Sequence, residues 1–200
     1  MATVFSHALV GGIIAATLAP PKPPTRYWLL AATCAVLPDA DVIAFPLGIP
    51  YSHVLGHRGL SHSLPFAALL SLLIVTVAFR APPWRAYRRR LLLVYFLATA
   101  SHGILDAMTN GGLGIAFLAP FSDTRSFLPV RPLLTSPISP RRFISWYGVA
   151  VLRSELVWIW LPGLILGGVL WLRRHSRPRS SCGEQIADVN NSRRDGDQLE

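Results

Sequence analysis

The sequence predicts an all-α, polytopic membrane protein of about five transmembrane helices with a disordered C-terminal tail. Three observations lead there. The 200 residues are 52% hydrophobic but only 14% charged, where a soluble domain carries about 25% charge. Five apolar stretches approach the ~20 residues that a helix needs to span a bilayer. The 19 basic residues, all arginine except Lys22, flank those stretches. With a net charge of +9, nucleic acid would be the alternative partner. Arginines beside apolar runs fit membrane topology better than one basic face, so the lipid bilayer is the expected partner and nucleic acid is not.

The first apolar stretch runs from about Thr3 to Ala19 and the second from about Tyr27 to Leu47. The third covers about Leu64 to Phe79, the fourth about Leu91 to Met108, and the fifth about Leu156 to Leu172. The first has the length of a signal peptide, with Ala19 before a cleavage point. It lacks a basic n-region and carries His7, so it reads as a span. Phe143 to Val151 reads as a short interfacial helix, with Trp146 and Tyr147 suited to the headgroup zone. Residues 1–175 form one integral membrane domain. The polar residues 176–200 form the tail, too poor in apolar side chains to fold.

Orientation follows from the connections. Pro20 to Arg26, the five-arginine connection Arg80 to Arg90, and the cluster Arg173, Arg174, Arg177 and Arg179 fall on one side of a five-helix path. The positive-inside rule makes that side cytoplasmic, with the N-terminus outside. The connection Asn110 to Glu155 opposes this, because it should lie outside yet holds Arg125, Arg131, Arg141, Arg142 and Arg153.

Polar residues within or beside the apolar stretches are the candidates for chemistry. They are His7, then Asp39 and Asp41 in LPDAD, His57 and His62 in HRGLSHS, and His102 and Asp106 in HGILD. Each ionisable group costs about 2.5–3.5 kcal/mol on membrane-insertion scales. All seven fall at the outer end of their helices on the five-span path. A divalent ion would compensate such a gathering. Cys34 and Cys182 form no CxxC pair, so any metal is expected on imidazole and carboxylate. His102 and Asp106, at i and i+4, share one helix face. Asn110 extends that face, and Gly103 thins the wall beside His102. His53 reads as a loop residue.

Together, His7, LPDAD, HRGLSHS and the run HGILDAMTNGG from His102 resemble the YdjM-type family of LexA-regulated inner-membrane proteins, predicted to be metal-dependent hydrolases. The resemblance covers about residues 1–120. HRG-x-[ST]-HS is its most specific element. The family pattern carries Thr where this chain has Ser61, which keeps the hydroxyl. The resemblance implies a multi-pass inner-membrane protein, hydrolytic activity, and a metal site drawn from His7, Asp39, Asp41, His57, His62, His102 and Asp106.

The expected function is therefore membrane-bound, metal-dependent hydrolysis of a small-molecule or lipid-like substrate, such as a phosphoester or lipid-linked ester at the outer interface. One or two ions are expected, with a lean towards two because seven ligands exceed the three typical of one catalytic zinc. Zinc suits the donors best, with manganese and iron as alternatives. Of Asp39 and Asp41, the one that is not a ligand is the expected general base, and Arg58 is expected to bind an anionic group of the substrate. Two other classes stay open: a structural metal clip and a metal transporter. The transporter would place its ligands near the midplane of paired repeats, and neither feature is present.

Overall fold

A computed structural model describes residues 1–175; the expected tail lies outside the described residues. Among them every regular element is helical, with only two isolated β-bridges, Thr109 to Leu133 and Ile115 to Ser126. The chain divides into two units, Met1–Gly167 and Gly168–Glu200. The first holds every side chain discussed below. The described part of the second is the end of the last helix.

Helix α1 (Val4–Thr17) is capped by Thr3, whose side chain accepts from the Ser6 N–H. Helix α2 (Thr25–Val36) follows the proline-rich turn and runs directly into a 3-10 stretch, Leu37–Ala44. Pro38 explains the change of pitch: it has no N–H to donate and its ring crowds the carbonyl one turn back. Helix α3 (Leu64–Ala78) is capped by Ser63 and carries Pro65 in its first turn, where a missing N–H costs nothing. A 3-10 stretch, Pro82–Tyr87, leads into helix α4 (Arg88–Ala107). Helix α4 is the axle of the bundle. It packs against α1, α2 and α3, and 12 of its 20 residues are buried.

The chain then loops back through residues 108–139 to a single turn, α5 (Pro140–Phe143). Helix α6 (Trp146–Glu155) passes through a π-helical turn, Leu156–Trp160, into α7 (Leu161–His175). The sequence reading separates an interfacial helix ending near Val151 from a span starting at Leu156. The structure joins them. Arg153 and Glu155 break the hydropathy but not the helix, because Glu155 is fully buried among hydrogen-bond donors. The π turn precedes Pro162, which cannot donate a helical hydrogen bond.

The two ends of α4 face different cores. One is apolar: Leu91, Val94, Tyr95 and Ala98 pack against Ala15, Tyr27, Ala31, Cys34, Val75 and Phe79. At the other end buried Ser101, His102 and Asp106 take over. Large apolar side chains cover much of the outside, among them Leu29, Ile43, Leu69 and Ile165. Thr25–Ala44 (20 residues) and Trp146–Leu170 (25 residues) are long and apolar enough to cross a membrane; Val4–Thr17 and Leu64–Ala78 are apolar but shorter.

Candidate metal centre

His7 projects from α1, Asp39 and Asp41 from the 3-10 stretch, His57 and His62 from the loop before α3, and His102 and Asp106 from α4. The 3-10 geometry separates the two aspartates. At three residues per turn, a two-residue step rotates a side chain by two thirds of a turn, so Asp39 and Asp41 address different groups.

Asp39, His62, His102 and Asp106 each offer a ligand atom, all within 4.8 Å of one another. The Nε2 atoms of His62 and His102 are 3.1 Å apart. Asp39 Oδ1 lies 3.3 Å from His102 Nε2 and 3.8 Å from His62 Nε2. Asp106 Oδ2 lies 3.7 Å from His62 Nε2. His7 stacks on His102 with ring centroids 3.7 Å apart and places Nε2 3.4 Å from Asp106 Oδ1. Both oxygens of Asp39, both nitrogens of His7 and Oδ2 of Asp106 are buried without a hydrogen-bond partner.

The tautomers are set from outside the cluster. His102 Nδ1 donates to the Ala35 carbonyl at 2.8 Å. His62 Nδ1 donates to Ser61 Oγ at 3.0 Å, and the Ser61 hydroxyl donates in turn to Asp41 Oδ2 at 2.6 Å. In the neutral rings both facing Nε2 atoms are then acceptors. With both rings neutral, two imidazole lone pairs converge beside the Asp39 carboxylate, whose oxygens have no donor, while Asp106 is faced by Arg58 and the Ala2 N–H. Burial pushes the His62 imidazole down, but hydrogen bonds and charge from Asp106 and Asp41 lift it to about 9. A proton and a cation compete for that nitrogen.

A second group, Asp41, His57 and His62, also brings its ligand atoms within 4.8 Å of one another. Its character is different. Asp41 Oδ1 accepts from His57 Nδ1 at 2.6 Å; Oδ2 accepts from the Arg58 N–H and the Ser61 hydroxyl and lies 3.1 Å from His62 Nδ1. His57 stacks on Tyr51, with ring centroids 5.3 Å apart.

Arg58 differs from expectation. It is fully buried and adopts φ +63°. Its Nη1 donates to the Gly111 and Leu113 carbonyls, its Nη2 donates to Thr109 Oγ1, and its Nε faces Asp106 Oδ2 at 3.3 Å. No fork is left for a substrate anion. Arg58 ties the HRGLSHS loop to the end of α4. Gly112, at φ +79°, makes room for this: a Cβ there would sit 3.0 Å from Arg58 Nη1. Gly103 lets the loop approach α4, since its Cβ would meet the His62 carbonyl at 2.8 Å. Asn110 lies beyond the end of α4 at Ala107, and its Oδ1 accepts from Thr135, so it does not extend the His102–Asp106 face. His53 is an exposed loop residue whose Nδ1 accepts from the Leu55 N–H. Ser63 caps α3.

Two supporting residues escape the sequence reading. Arg125 donates to the carbonyls of Tyr51, His53, His57, Arg58 and Gly114, clamping the loop. Glu155 accepts from the Thr3 N–H and from the Thr3 and Ser6 hydroxyls, holding the start of α1 one turn before His7. The neighbouring Ala2 N–H donates to Asp106 Oδ1 at 2.7 Å, and the Met1 amino group lies 3.8 Å from Asp106 Oδ2.

A helical bundle with apolar outer faces and buried His and Asp at one end is the frame of a membrane protein with a candidate metal site. The family model described as YdjM inner membrane protein matches residues 1–177, and the chain belongs to that family. Inner membrane protein YbcI of Escherichia coli (strain K12) is 42% identical over 175 residues, which cover 87% of this chain and 99% of that protein. No solved structure matches.

Proposed function

We propose that this chain is a multi-pass inner-membrane hydrolase that uses one divalent metal ion, held by Asp39, His62, His102 and Asp106, with His7 as a further donor. The observation that carries the reading is the pair of Nε2 atoms 3.1 Å apart, with both Nδ1 atoms engaged elsewhere, beside the Asp39 carboxylate, whose oxygens have no donor. Buried acceptors without donors are costly. The residues fit a metal: a tetrahedral site with 2.0–2.1 Å bonds has ligand atoms about 3.3 Å apart. Two imidazoles with carboxylates suit zinc, and manganese and iron are alternatives. The saturation of Asp41 favours one ion over two.

When bound, the ion would supply Lewis-acid activation of water and of a phosphoryl or carbonyl oxygen. The chain's own residues do the rest. Asp41 and the Ala35 carbonyl hold the two imidazoles in one tautomer and orientation. Asp39 Oδ1 faces the imidazoles, and its Oδ2 has no donor and is the group available to take a proton from attacking water. Asp41, already accepting from three donors, is not that base. Arg58 and Arg125 hold the loop that carries His57 and His62.

The same reading takes α1, Thr25–Ala44, α3, α4 and Trp146–Leu170 as five spans, N-terminus outside and C-terminus cytoplasmic. Arg125 removes part of the conflict in charge, because its guanidinium is committed to loop carbonyls. A lipid-like substrate is supported by a cleft of about 570 Å³ lined by Ala8, Ala32, Thr33, Val36, Leu37, Asp39 and Ala40. Its volume is in the ligand-pocket range, its lining is mostly apolar, and Asp39 is its one charged residue.

The test is turnover of long-chain phosphoesters and carboxylic esters by purified protein. Activity that chelation removes and the metal restores, and that His102→Ala lacks, is expected. A second reading, a structural clip between helices, is favoured by the near-complete burial of His62, His102 and Asp106. It predicts bound metal, a lower melting temperature on chelation, and no turnover of any ester.

A further inference from the structure

The opposite end of the bundle carries a second chemical feature that the metal site does not use. A cavity of about 500 Å³ is lined by Val75, Thr76, Phe79, Arg80, Trp84, Arg85 and Arg88. It lies where the end of α3, the 3-10 stretch and the start of α4 meet. All three arginines are exposed. The Arg26 guanidinium adds a fourth positive charge, 5.3 Å from the Phe79 ring centroid and 6.0 Å from that of Trp84.

No acid lies in the chain segments that carry them. The sequence has no Asp or Glu before Asp39 or between Asp41 and Asp106, and those carboxylates belong to the other end of α4. Among the described residues, Arg80, Arg85 and Arg88 form no ion pair. Topology alone asks for arginines in this connection but not for a cavity. Arg89 and Arg90 carry the same charge and do not line it. The cavity pairs an apolar floor, Val75 and Phe79, with a cationic rim. That is the profile of a lipid at its headgroup: acyl carbons against the floor, phosphate against the guanidinium forks.

We propose that this cavity binds the headgroup of an anionic phospholipid, with Arg80, Arg85 and Arg88 contacting the phosphate and Trp84 at the headgroup level. Basic pockets between transmembrane helices on the cytoplasmic side hold such headgroups. The site is independent of any hydrolytic activity.

The experiment titrates dioleoylphosphatidylglycerol into the detergent-solubilised full chain and follows retained lipid by native mass spectrometry and stability by melting. Arg85→Ala/Arg88→Ala is compared with Arg89→Ala/Arg90→Ala, which removes the same charge outside the cavity. The first pair is expected to weaken phosphatidylglycerol binding at least about fivefold, as lost surface arginines should, and the second by less than about twofold. Phosphatidylcholine and inorganic phosphate are expected to leave melting unchanged. Equal losses in the two pairs would reduce the effect to general charge and overturn the site. So would retention in the first pair, equal binding of phosphatidylcholine, or stabilisation by phosphate alone. If the first pair does not insert, Arg80→Ala against Arg89→Ala makes the same comparison.

Discussion

Two groups of His and Asp share the His62 ring and differ in one respect. On its Nδ1 side, His62 donates to Ser61, and Asp41 accepts from Ser61, His57 and the Arg58 N–H. On its Nε2 side, Asp39 and His7 have no hydrogen-bond partner, and Asp106 Oδ2 has none. The same residue types at similar spacing thus make a finished hydrogen-bond network in one direction and a set of unmet acceptors in the other. Distance between ligand atoms does not separate them, since both groups fall within 4.8 Å. Hydrogen-bond saturation does. A carboxylate that already accepts from three donors orients an imidazole, whereas one with no donor awaits a cation.

Substitutions on the two sides should therefore behave differently. The largest effect is expected from His102→Ala, which removes one of the facing Nε2 atoms: bound metal falls to background by elemental analysis of the purified protein. Arg58→Ala comes next and acts on the fold. It leaves buried Asp106 without its guanidinium and the Gly111 and Leu113 carbonyls without donors. Breaking a buried pair in this way costs about 3–5 kcal/mol, read as a lower melting temperature in detergent. Arg58→Lys is expected to restore little, because one ammonium cannot reach both carbonyls and Thr109.

Asp41→Asn sharpens the comparison most. It keeps the shape but weakens the hold on His62 Nδ1, so metal affinity should drop about 10–100-fold while the ion remains titratable. Complete loss of binding would move Asp41 into the ligand set and restore the two-ion alternative. Glu155→Gln is expected to matter less. It exchanges a buried carboxylate accepting from Thr3 and Ser6 for an amide, at about 1.5–3 kcal/mol for hydrogen bonds to a charged group. The melting temperature should fall, with less than about a tenfold change in metal affinity.

Much of this arrangement was legible in the sequence. The i, i+4 spacing of His102 and Asp106 places both on the buried face of α4, and six of the seven polar residues singled out in the sequence fall into two groups that share His62, with His7 stacked on His102. What the sequence could not give was the division of labour. That division depends on the two-residue step from Asp39 to Asp41, which turns the two carboxylates towards different groups, and on the Ala35 carbonyl, which sets the His102 tautomer. Arg58 reads as an anion binder because arginine in a polar motif is typically exposed. Its burial follows from contacts with Thr109, Gly111 and Leu113, some fifty residues away. Glu155 was hidden by its place beside Arg153, where a hydropathy break looks like a helix end.

The most direct test is the metal stoichiometry of the purified full chain beside His53→Ala, His102→Ala and Asp41→Asn. The account predicts one divalent ion per chain in wild type and in His53→Ala, none in His102→Ala, and one weakly held ion in Asp41→Asn. Two ions in wild type, or equal metal content in wild type and His102→Ala, would contradict it.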